Sequence, residues 1–95
     1  MKTITIIIGN SDDKLSQLRW SNFVDAVDKS ISQFNGKPQF SGGSYPDAPW
    51  QNYCWVFLLS DDPKVTFSYQ RQLAELRSKY EQDAVAWIEG GTVFI

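Results

Sequence analysis

The alternation of hydrophobic and polar positions predicts a first strand over residues 3–8. Ile4, Ile6 and Ile8 occupy every second position, so their side chains share one face of that strand. The segment that follows, residues 9–13, is small and polar and is typical of a turn. We therefore expect a strand with one strongly apolar face and a polar loop after it.

A different spacing follows, because apolar residues now recur every three or four positions. This pattern predicts a helix over residues 17–34, with Ser16 as its N-cap. Asn35-Gly36 supplies a left-handed stop, and Pro38 prevents the helix from continuing. The apolar stripe of this helix consists of Trp20, Phe23, Val24, Val27, Ile31 and Phe34.

Two strands are predicted in the middle of the chain, and they differ in character. Residues 38–45 form a weak strand, and Gly42-Gly43 in it indicates a bulge or an edge position. Residues 51–59 are apolar on both faces, which is typical of a central strand covered on both sides.

The last third of the chain repeats the helix–strand alternation. Asp62-Pro63 is an N-cap followed by proline at the first helical position, and the helix extends to about residue 82. A strand over residues 84–89 comes next. Gly90-Gly91 allows a turn into a short terminal strand over residues 92–95.

The resulting order, βαββαβ, is that of a ferredoxin-like α+β sandwich. We expect an antiparallel sheet in the order 4-1-3-2, two helices on one face, and room for an extra C-terminal strand. The whole chain, residues 1–95, is predicted to form a single domain.

Composition excludes several classes of function. The net charge is −2, which disfavours nucleic-acid binding and a polybasic membrane anchor. The chain has no His, which excludes Cys/His zinc sites and nucleophiles activated by His. We expect no cofactor.

The single Cys54 cannot form an intrachain disulfide, so a reducing compartment is expected. No apolar run is long enough for a signal peptide or a membrane span. We therefore expect a cytoplasmic protein.

The predicted topology brings three loops to one end of the sheet, which we call the loop end. They are the loop after the first strand, the connection between the second and third strands, and the turn after the second helix. Polar groups that surround rigid aromatic rings are typical of a ligand or partner site. The candidate binding residues at this end are Asn10, Ser11, Asp12, Asp13, Tyr45, Asp47, Trp50 and Asn52.

A purely structural interpretation stays open for each of these candidates. Residues 9–13 are also ordinary turn and cap residues, and Asp47 between two prolines is a common turn former. Trp50 either seals the core beside Trp20 or is exposed. Cys54 is interpreted as a small buried hydrophobic residue.

The sheet face without helices is a second candidate surface. The third strand offers a large apolar residue at nearly every position, whichever face turns outward. Such a patch marks an interface, either with a second copy of the chain or with another protein. An RNA-recognition surface would also use aromatic strands, but its basic residue and glycine are missing around residues 52–57.

An enzyme is the alternative from another class. Asp12, Asp13 and Asp47 would bind a metal ion or act as an acid–base pair in a metal- or nucleotide-dependent reaction. Against this, adjacent carboxylates on a turn point apart, and Lys14 neutralises one of them. The chain has neither a glycine-spaced phosphate loop nor EF-hand spacing.

Three blocks of sequence resemble small uncharacterised proteins of bacteria and their phages. They are residues 9–15, residues 46–52 with Cys54-Trp55, and residues 80–83 with Ala86-Trp87, that is, the segments expected at the loop end. The resemblance implies a small accessory protein of a mobile element that blocks or sequesters a host factor. It brings no activity and no assigned site. The leading hypothesis is thus a non-enzymatic binding module that holds a protein partner or a small ligand, with a structural homodimer as a further alternative.

Overall fold

The computed structural model describes residues 1–10, 13–45, 50–91 and 93–95. Four strands form one sheet in the order β2-β3-β1-β4, and every neighbouring pair is antiparallel. This confirms the ferredoxin-like α+β prediction. The elements are β1 (Lys2–Gly9), α1 (Gln17–Gln33), β2 (Lys37–Gly43), β3 (Asn52–Leu59), α2 (Pro63–Lys79) and β4 (Ala86–Gly90).

The caps of α1 lie where the sequence predicts them. Ser16 Oγ accepts a hydrogen bond from the Arg19 backbone N–H at 3.3 Å. At the other end Asn35 adopts a φ of 58°, and the Gly36 N–H donates to the Ile31 carbonyl at 2.8 Å. Gly36 is also required for space, since a Cβ there would lie 2.7 Å from Ile31 Cγ2.

Helix α2 begins as predicted but ends at Lys79, about three residues early. Asp62 Oδ1 accepts from the Lys64 N–H at 3.0 Å, and Pro63 occupies the first turn. Glu81 adopts a left-handed φ of 57°, and the Gln82 N–H donates back to the Arg77 carbonyl. This closing motif stops a helix without glycine, so the sequence carried no obvious mark of it.

The core lies between the helices and one face of the sheet. Ile4, Ile6 and Ile8 on β1 are buried and stand opposite Phe57, Trp55 and Tyr53 on β3. Both helices place their apolar stripes over these strands. The residues buried in this core are Ile4, Ile6, Ile8, Leu15, Trp20, Phe23, Val27, Ile31, Trp55, Phe57, Leu59, Tyr69, Leu73 and Tyr80.

One buried polar pair lies within this core. The Tyr69 hydroxyl is 2.7 Å from Ser30 Oγ, and Ser30 in turn donates to the Val27 carbonyl. Burial raises the pKa of Tyr69 to about 12, and the charge of Asp28 adds to that shift although the Ser30 hydrogen bond opposes it. The phenol therefore stays neutral and is held in a fixed orientation.

The prediction that β3 is covered on both faces is wrong. β3 lies between β2 and β1, but both helices pack on the side of Trp55, Phe57 and Leu59. Cys54, Val56 and Leu58 turn to the other side, which we call the open face, and they are partly exposed. Two helices suffice for only one face of a four-stranded sheet, so a strand apolar on both faces leaves one apolar side uncovered.

The described residues beyond Gly90 form no strand, contrary to the expected terminal addition. β4 is an edge strand, and of its five residues only Trp87 is partly buried. A tail folded back against it would gain few hydrogen bonds and little burial. Val93, Phe94 and Ile95 are instead exposed.

Candidate aromatic binding site at the loop end

The three loops predicted to meet at the loop end do so in the structure. Lys14 Nζ lies 3.2 Å from Asp83 Oδ1, which joins the loop after β1 to the turn after α2. Arg19 Nη1 lies 3.5 Å from Glu81 Oε1, and its Nη2 donates to the Lys79 carbonyl at 3.0 Å. Segments about 60 residues apart in sequence are therefore fastened to one another.

Asn10 is buried and ties the loop after β1 to the start of β3. Its Nδ2 donates to the Leu15 carbonyl at 3.0 Å and to Gln51 Oε1 at 3.1 Å. Its Oδ1 accepts from the Leu15 N–H at 2.9 Å, and its own N–H donates to the Gln51 carbonyl. Both amide protons of Asn10 are used inside the protein, so its side chain holds the two loops together.

Gln51 extends this connection to the first turn of α1. Its Nε2 donates to Gln17 Oε1 at 2.8 Å, and Gln17 Nε2 donates back to Gln51 Oε1 at 3.2 Å. The reciprocal amide pair fixes the end of α1 against β3. Trp20, one turn further along α1, is therefore held at a set position relative to Trp50 and Tyr53.

A pocket of about 200 Å³ opens between α1 and the ends of β2 and β3. Four of its lining residues are aromatic, and we call it the aromatic pocket. Tyr45 and Trp50 stand at 83% and 62% exposure, whereas Trp20 is nine-tenths buried. The described lining residues are Trp20, Gly43, Ser44, Tyr45, Trp50, Gln51, Asn52 and Tyr53.

Small residues on β2 create this concave shape. Gly43 pairs with Tyr53 across the strands, and a Cβ on Gly43 would lie 3.2 Å from the Tyr53 ring. The glycine therefore leaves the face of Tyr53 without a covering side chain. Ser44 continues the opening, and its Oγ accepts from the Asn52 N–H at 3.2 Å.

Several polar groups of the pocket have no hydrogen-bond partner within the part of the chain that the structure describes. They are the indole N–H groups of Trp20 and Trp50, the Tyr45 hydroxyl and the side-chain amide of Asn52. Trp20 Nε1 is not among the described buried polar atoms that lack a partner, so this N–H reaches solvent although most of the Trp20 ring is buried. The pocket thus offers aromatic surface together with unused donors.

The basic residues of the described loop end do not line the pocket. None of the described lining residues is charged. Lys14 and Arg19 are paired with carboxylates of the α2–β4 turn, and the Arg19 guanidinium lies 5.4 Å from the centre of the Tyr80 ring. The described pocket therefore presents no positive side chain to a ligand.

The structure separates the sequence candidates into three groups. Tyr45, Trp50 and Asn52 line the aromatic pocket. Asn10 is buried, and Asp13 is exposed with a φ of 52°. Ser11, Asp12 and Asp47 lie outside the described residues, so their predicted roles, including an enzyme built on these aspartates, stay predictions.

Sequence reasoning missed two of the four aromatic residues of the pocket. Trp20 and Tyr53 were expected in the core because they belong to apolar stripes, and both do pack there on one side. The available signal was Gly42-Gly43, since glycines in a strand mark a place where another group approaches closely. Trp50 was expected either to seal the core beside Trp20 or to be exposed. It is exposed, and it lines the same pocket as Trp20.

We also searched the described residues for a metal site and for other pockets. No group of three or more acidic, Cys or His side chains among them could hold a metal ion. A second pocket of about 190 Å³ lies between α2 and β4, beside Leu73 and Trp87. Its cation, Arg77, donates to the Gln82 carbonyl at 3.0 Å and so supports the α2–β4 turn.

Comparisons with known proteins show the fold and no family. No protein-family model matches the chain, and no curated protein matches it. The C-terminal domain of the MgtC protein from Mycobacterium tuberculosis is similar, with a TM-score of 0.63 and 12% identity over 95% of this chain and 88% of that one. A formyltetrahydrofolate deformylase from Pseudomonas putida KT2440 matches with a TM-score of 0.54 and 12% identity.

The second match covers 96% of this chain but 28% of the deformylase, so the chain spans about a quarter of that enzyme. At this identity both likenesses concern the fold alone. Within the described residues, neither helix has the length and apolar character needed to cross a membrane.

Proposed function

We propose that this protein is a non-enzymatic binding module and that the aromatic pocket is its binding site. The pocket would hold a small ligand or a protruding group of a protein partner. The observation that carries the proposal is the exposure of Trp50, at 62%, beside a Trp20 indole nitrogen that has no described partner. Large aromatic side chains at the surface are characteristic of interaction sites.

The rigid construction of the loop end supports this proposal. Asn10, Gln17 and Gln51 fix the pocket walls through buried or reciprocal amide contacts. A pocket formed before binding loses less conformational entropy when its ligand arrives. These hydrogen bonds are therefore expected to favour affinity as well as folding.

The specific form that we propose is an accessory protein of a phage or mobile element. It would block a host protein or sequester a small ligand in the cytoplasm. The support is the resemblance of the three loop-end blocks to small bacterial and phage proteins, together with a single, free Cys54.

The test is a ligand screen read by the indole N–H resonances of the four tryptophans. Mixtures of anionic, neutral and cationic small molecules are added to ¹⁵N-labelled protein. We expect ligands that shift the signals of Trp20 and Trp50 and leave that of Trp87 in place. Trp50→Ala should abolish the response.

Phe67→Ala is the matched control, because Phe67 is also 62% exposed but lies on α2. It should bind as the wild type does. The proposal fails if no compound of any charge shifts Trp20 or Trp50, or if every compound that does so binds Trp50→Ala equally well.

A second candidate function, self-association through the open face, is favoured by a separate observation. Phe40, Val56, Thr5 and Ile88 stand side by side across the four strands, and Phe40 and Ile88 are 56% and 48% exposed. The centre of this face carries no charged side chain among the described residues, so two copies would meet without burying an unpaired charge.

Sedimentation velocity over a range of concentrations tests this candidate. A dimer should form in the wild type, and Val56→Glu should dissociate it by placing a charge at the centre of the face. Leu18→Glu is the control, since Leu18 is 73% exposed on α1 and away from the sheet. A wild type that stays monomeric at every concentration rules out this interface.

A further inference from the structure

We propose that the aromatic pocket selects a methylated ammonium group, such as the head of a quaternary ammonium compound or of trimethyl-lysine. This inference rests on the proposed binding function and specifies the chemical class of the ligand. It follows from the lining of the pocket, its charge and its dimensions.

The lining supplies the attraction. A cation near the face of an aromatic ring is drawn to the negative face of the ring, and Trp is the strongest partner of this kind. The pocket combines two Trp with two Tyr, namely Trp20, Trp50, Tyr45 and Tyr53. Neither Tyr45 nor Trp50 stacks on another aromatic ring of the described chain, so their faces are available.

The charge distribution decides the sign of the ligand. An anion would need a basic partner, and the described lining has none. Lys14 and Arg19, the basic residues fastened at this end, already contact Asp83 and Glu81. The chain as a whole carries a net charge of −2, which also favours the approach of a cation.

Methylation explains how a cation could bind without a carboxylate in the described lining. A plain ammonium is strongly hydrated and brings three N–H donors that need acceptors. The described lining offers neutral acceptors, such as the Asn52 amide and the Tyr45 hydroxyl, but no carboxylate to balance the charge of a plain ammonium. A quaternary ammonium has no N–H, so aromatic surface alone can replace its weak hydration.

The dimensions agree with such a group. The pocket of about 200 Å³ corresponds to roughly six water-sized groups, which is sufficient for a nitrogen with its methyl substituents. The most exposed rings, Tyr45 and Trp50, leave the mouth open. The rest of a ligand could therefore extend outward, as a lysine stem or a choline alcohol would.

The experiment compares choline with 3,3-dimethylbutan-1-ol, which has the same shape but no charge. Each is titrated into the ¹⁵N-labelled protein, and the shifts of the Trp20 and Trp50 indole signals give the affinity. We expect choline to bind at least tenfold more tightly than the neutral alcohol. A short peptide with trimethyl-lysine, and the same peptide with unmodified lysine, form the second arm.

The two arms distinguish a free small molecule from a protein partner as the source of the ammonium group. Tighter binding of choline indicates a small ligand, and tighter binding of the methylated peptide indicates a protein. Trp50→Ala should weaken either by roughly 3- to 30-fold, which corresponds to the loss of one cation–π contact. Phe67→Ala should leave both affinities unchanged.

Three results would overturn the inference while the binding function stands. They are equal affinity for the neutral alcohol, equal affinity for the unmodified lysine peptide, or a screen whose ligands at Trp20 and Trp50 are all neutral or anionic. A protein in which no compound of any charge shifts these two indoles would instead remove the proposed function itself.

Discussion

Trp50 and Trp55 are five residues apart in sequence and are used in opposite ways. Trp55 lies on β3 at 2% exposure, its indole N–H donates to Asp28 Oδ1 at 3.1 Å, and its ring lies 4.6 Å from that of Tyr53. Trp50 is 62% exposed, and its N–H has no partner among the described residues. The contacts of Trp55 within the fold account for its position, whereas Trp50 makes no comparable contacts among the described residues.

The same contrast separates Tyr69 from Tyr45. Tyr69 is completely buried, with rings of Phe34 and Phe57 beside it and Ser30 on its hydroxyl. Tyr45 is 83% exposed at the mouth of the aromatic pocket. Exposed aromatic residues gain little from folding, so Tyr45 and Trp50 are the side chains on which the proposed binding role rests.

The largest expected effect tests this contrast on the two tryptophans. Trp55→Ala removes a ring from a closely packed core and should lower the free energy of unfolding by about 3–5 kcal/mol. Trp50→Ala should change it by less than about 0.5 kcal/mol. Urea denaturation followed by circular dichroism measures both, and a large loss for Trp50→Ala would place Trp50 in the folding core after all.

The next effect concerns alkaline pH. Because burial raises the pKa of Tyr69 to about 12 from 10, the unfolded chain releases this proton between these pH values and the folded protein keeps it. The free energy of unfolding should therefore fall over pH 10–12, by up to about 2–3 kcal/mol. Stability below pH 10 is unaffected by this group.

Tyr69→Phe should show a flatter decline over pH 10–12 in denaturant titrations at each pH. Tyr45→Phe is the exposed counterpart and should decline as the wild type does. Parallel curves for the wild type and Tyr69→Phe would contradict the assignment of the shift to Tyr69.

A smaller effect concerns the partner of the buried indole. Asp28→Ala leaves the Trp55 N–H without its acceptor and should cost about 1–2 kcal/mol of stability. Asp25→Ala is a neighbouring control, since Asp25 forms an exposed pair with Lys29 on the same helix. It should cost no more than about 0.5 kcal/mol. Equal losses for both variants would mean that the Asp28 contact contributes nothing specific.

The smallest expected effect concerns the pKa of Glu89, which contacts Trp87. Trp87 is partly buried, between the buried Trp55 and the exposed Trp50. Its N–H donates to Glu89 Oε1 at 3.0 Å, and Lys2 Nζ lies 3.2 Å from the same oxygen. These contacts, the Trp87 hydrogen bond first, lower the pKa of Glu89 below its ordinary value of 4.5. Stability contributed by this group is present above that value and falls as pH drops through the lowered pKa.

A carboxyl ¹³C titration measures the pKa of Glu89 directly. It should rise in a Lys2→Met variant and rise further when Trp87→Phe removes the indole donor. An unchanged titration in both variants would show that neither contact persists in solution.

Much of the fold follows from the sequence because its signals are local. Ser16, Asn35-Gly36 and Asp62-Pro63 mark helix ends through hydrogen bonds to nearby backbone, and the structure confirms each. The early end of α2 was missed because Glu81 adopts a left-handed conformation that its residue type rarely favours. The coverage of β3 on both sides was predicted wrongly because a strand sequence records apolarity and not which layers cover it, although the predicted topology did include a sheet face without helices.

The sequence predicted which end of the sheet carries the candidate site, but not all of the residues that line it. The topology alone brings the loops together, so Tyr45, Trp50 and Asn52 were found in advance. Trp20 and Tyr53 were not predicted as pocket residues, because a side chain can pack in the core with one side and line a pocket with the other. For Tyr53 this double use depends on the missing side chain at Gly43, and the Gly42-Gly43 signal does not by itself say which residue of the neighbouring strand lies opposite.

The Asn10 side chain has a consequence for following the loop end in solution. Its Oδ1 holds the Leu15 amide proton in a buried hydrogen bond that belongs to no helix or strand. The exchange of that single proton with deuterium therefore reports when the loop after β1 opens, independently of the sheet. The exchange rate of the Leu15 amide thus measures how often this loop opens. Slower exchange in the presence of a ligand would show that the ligand stabilises the closed loop.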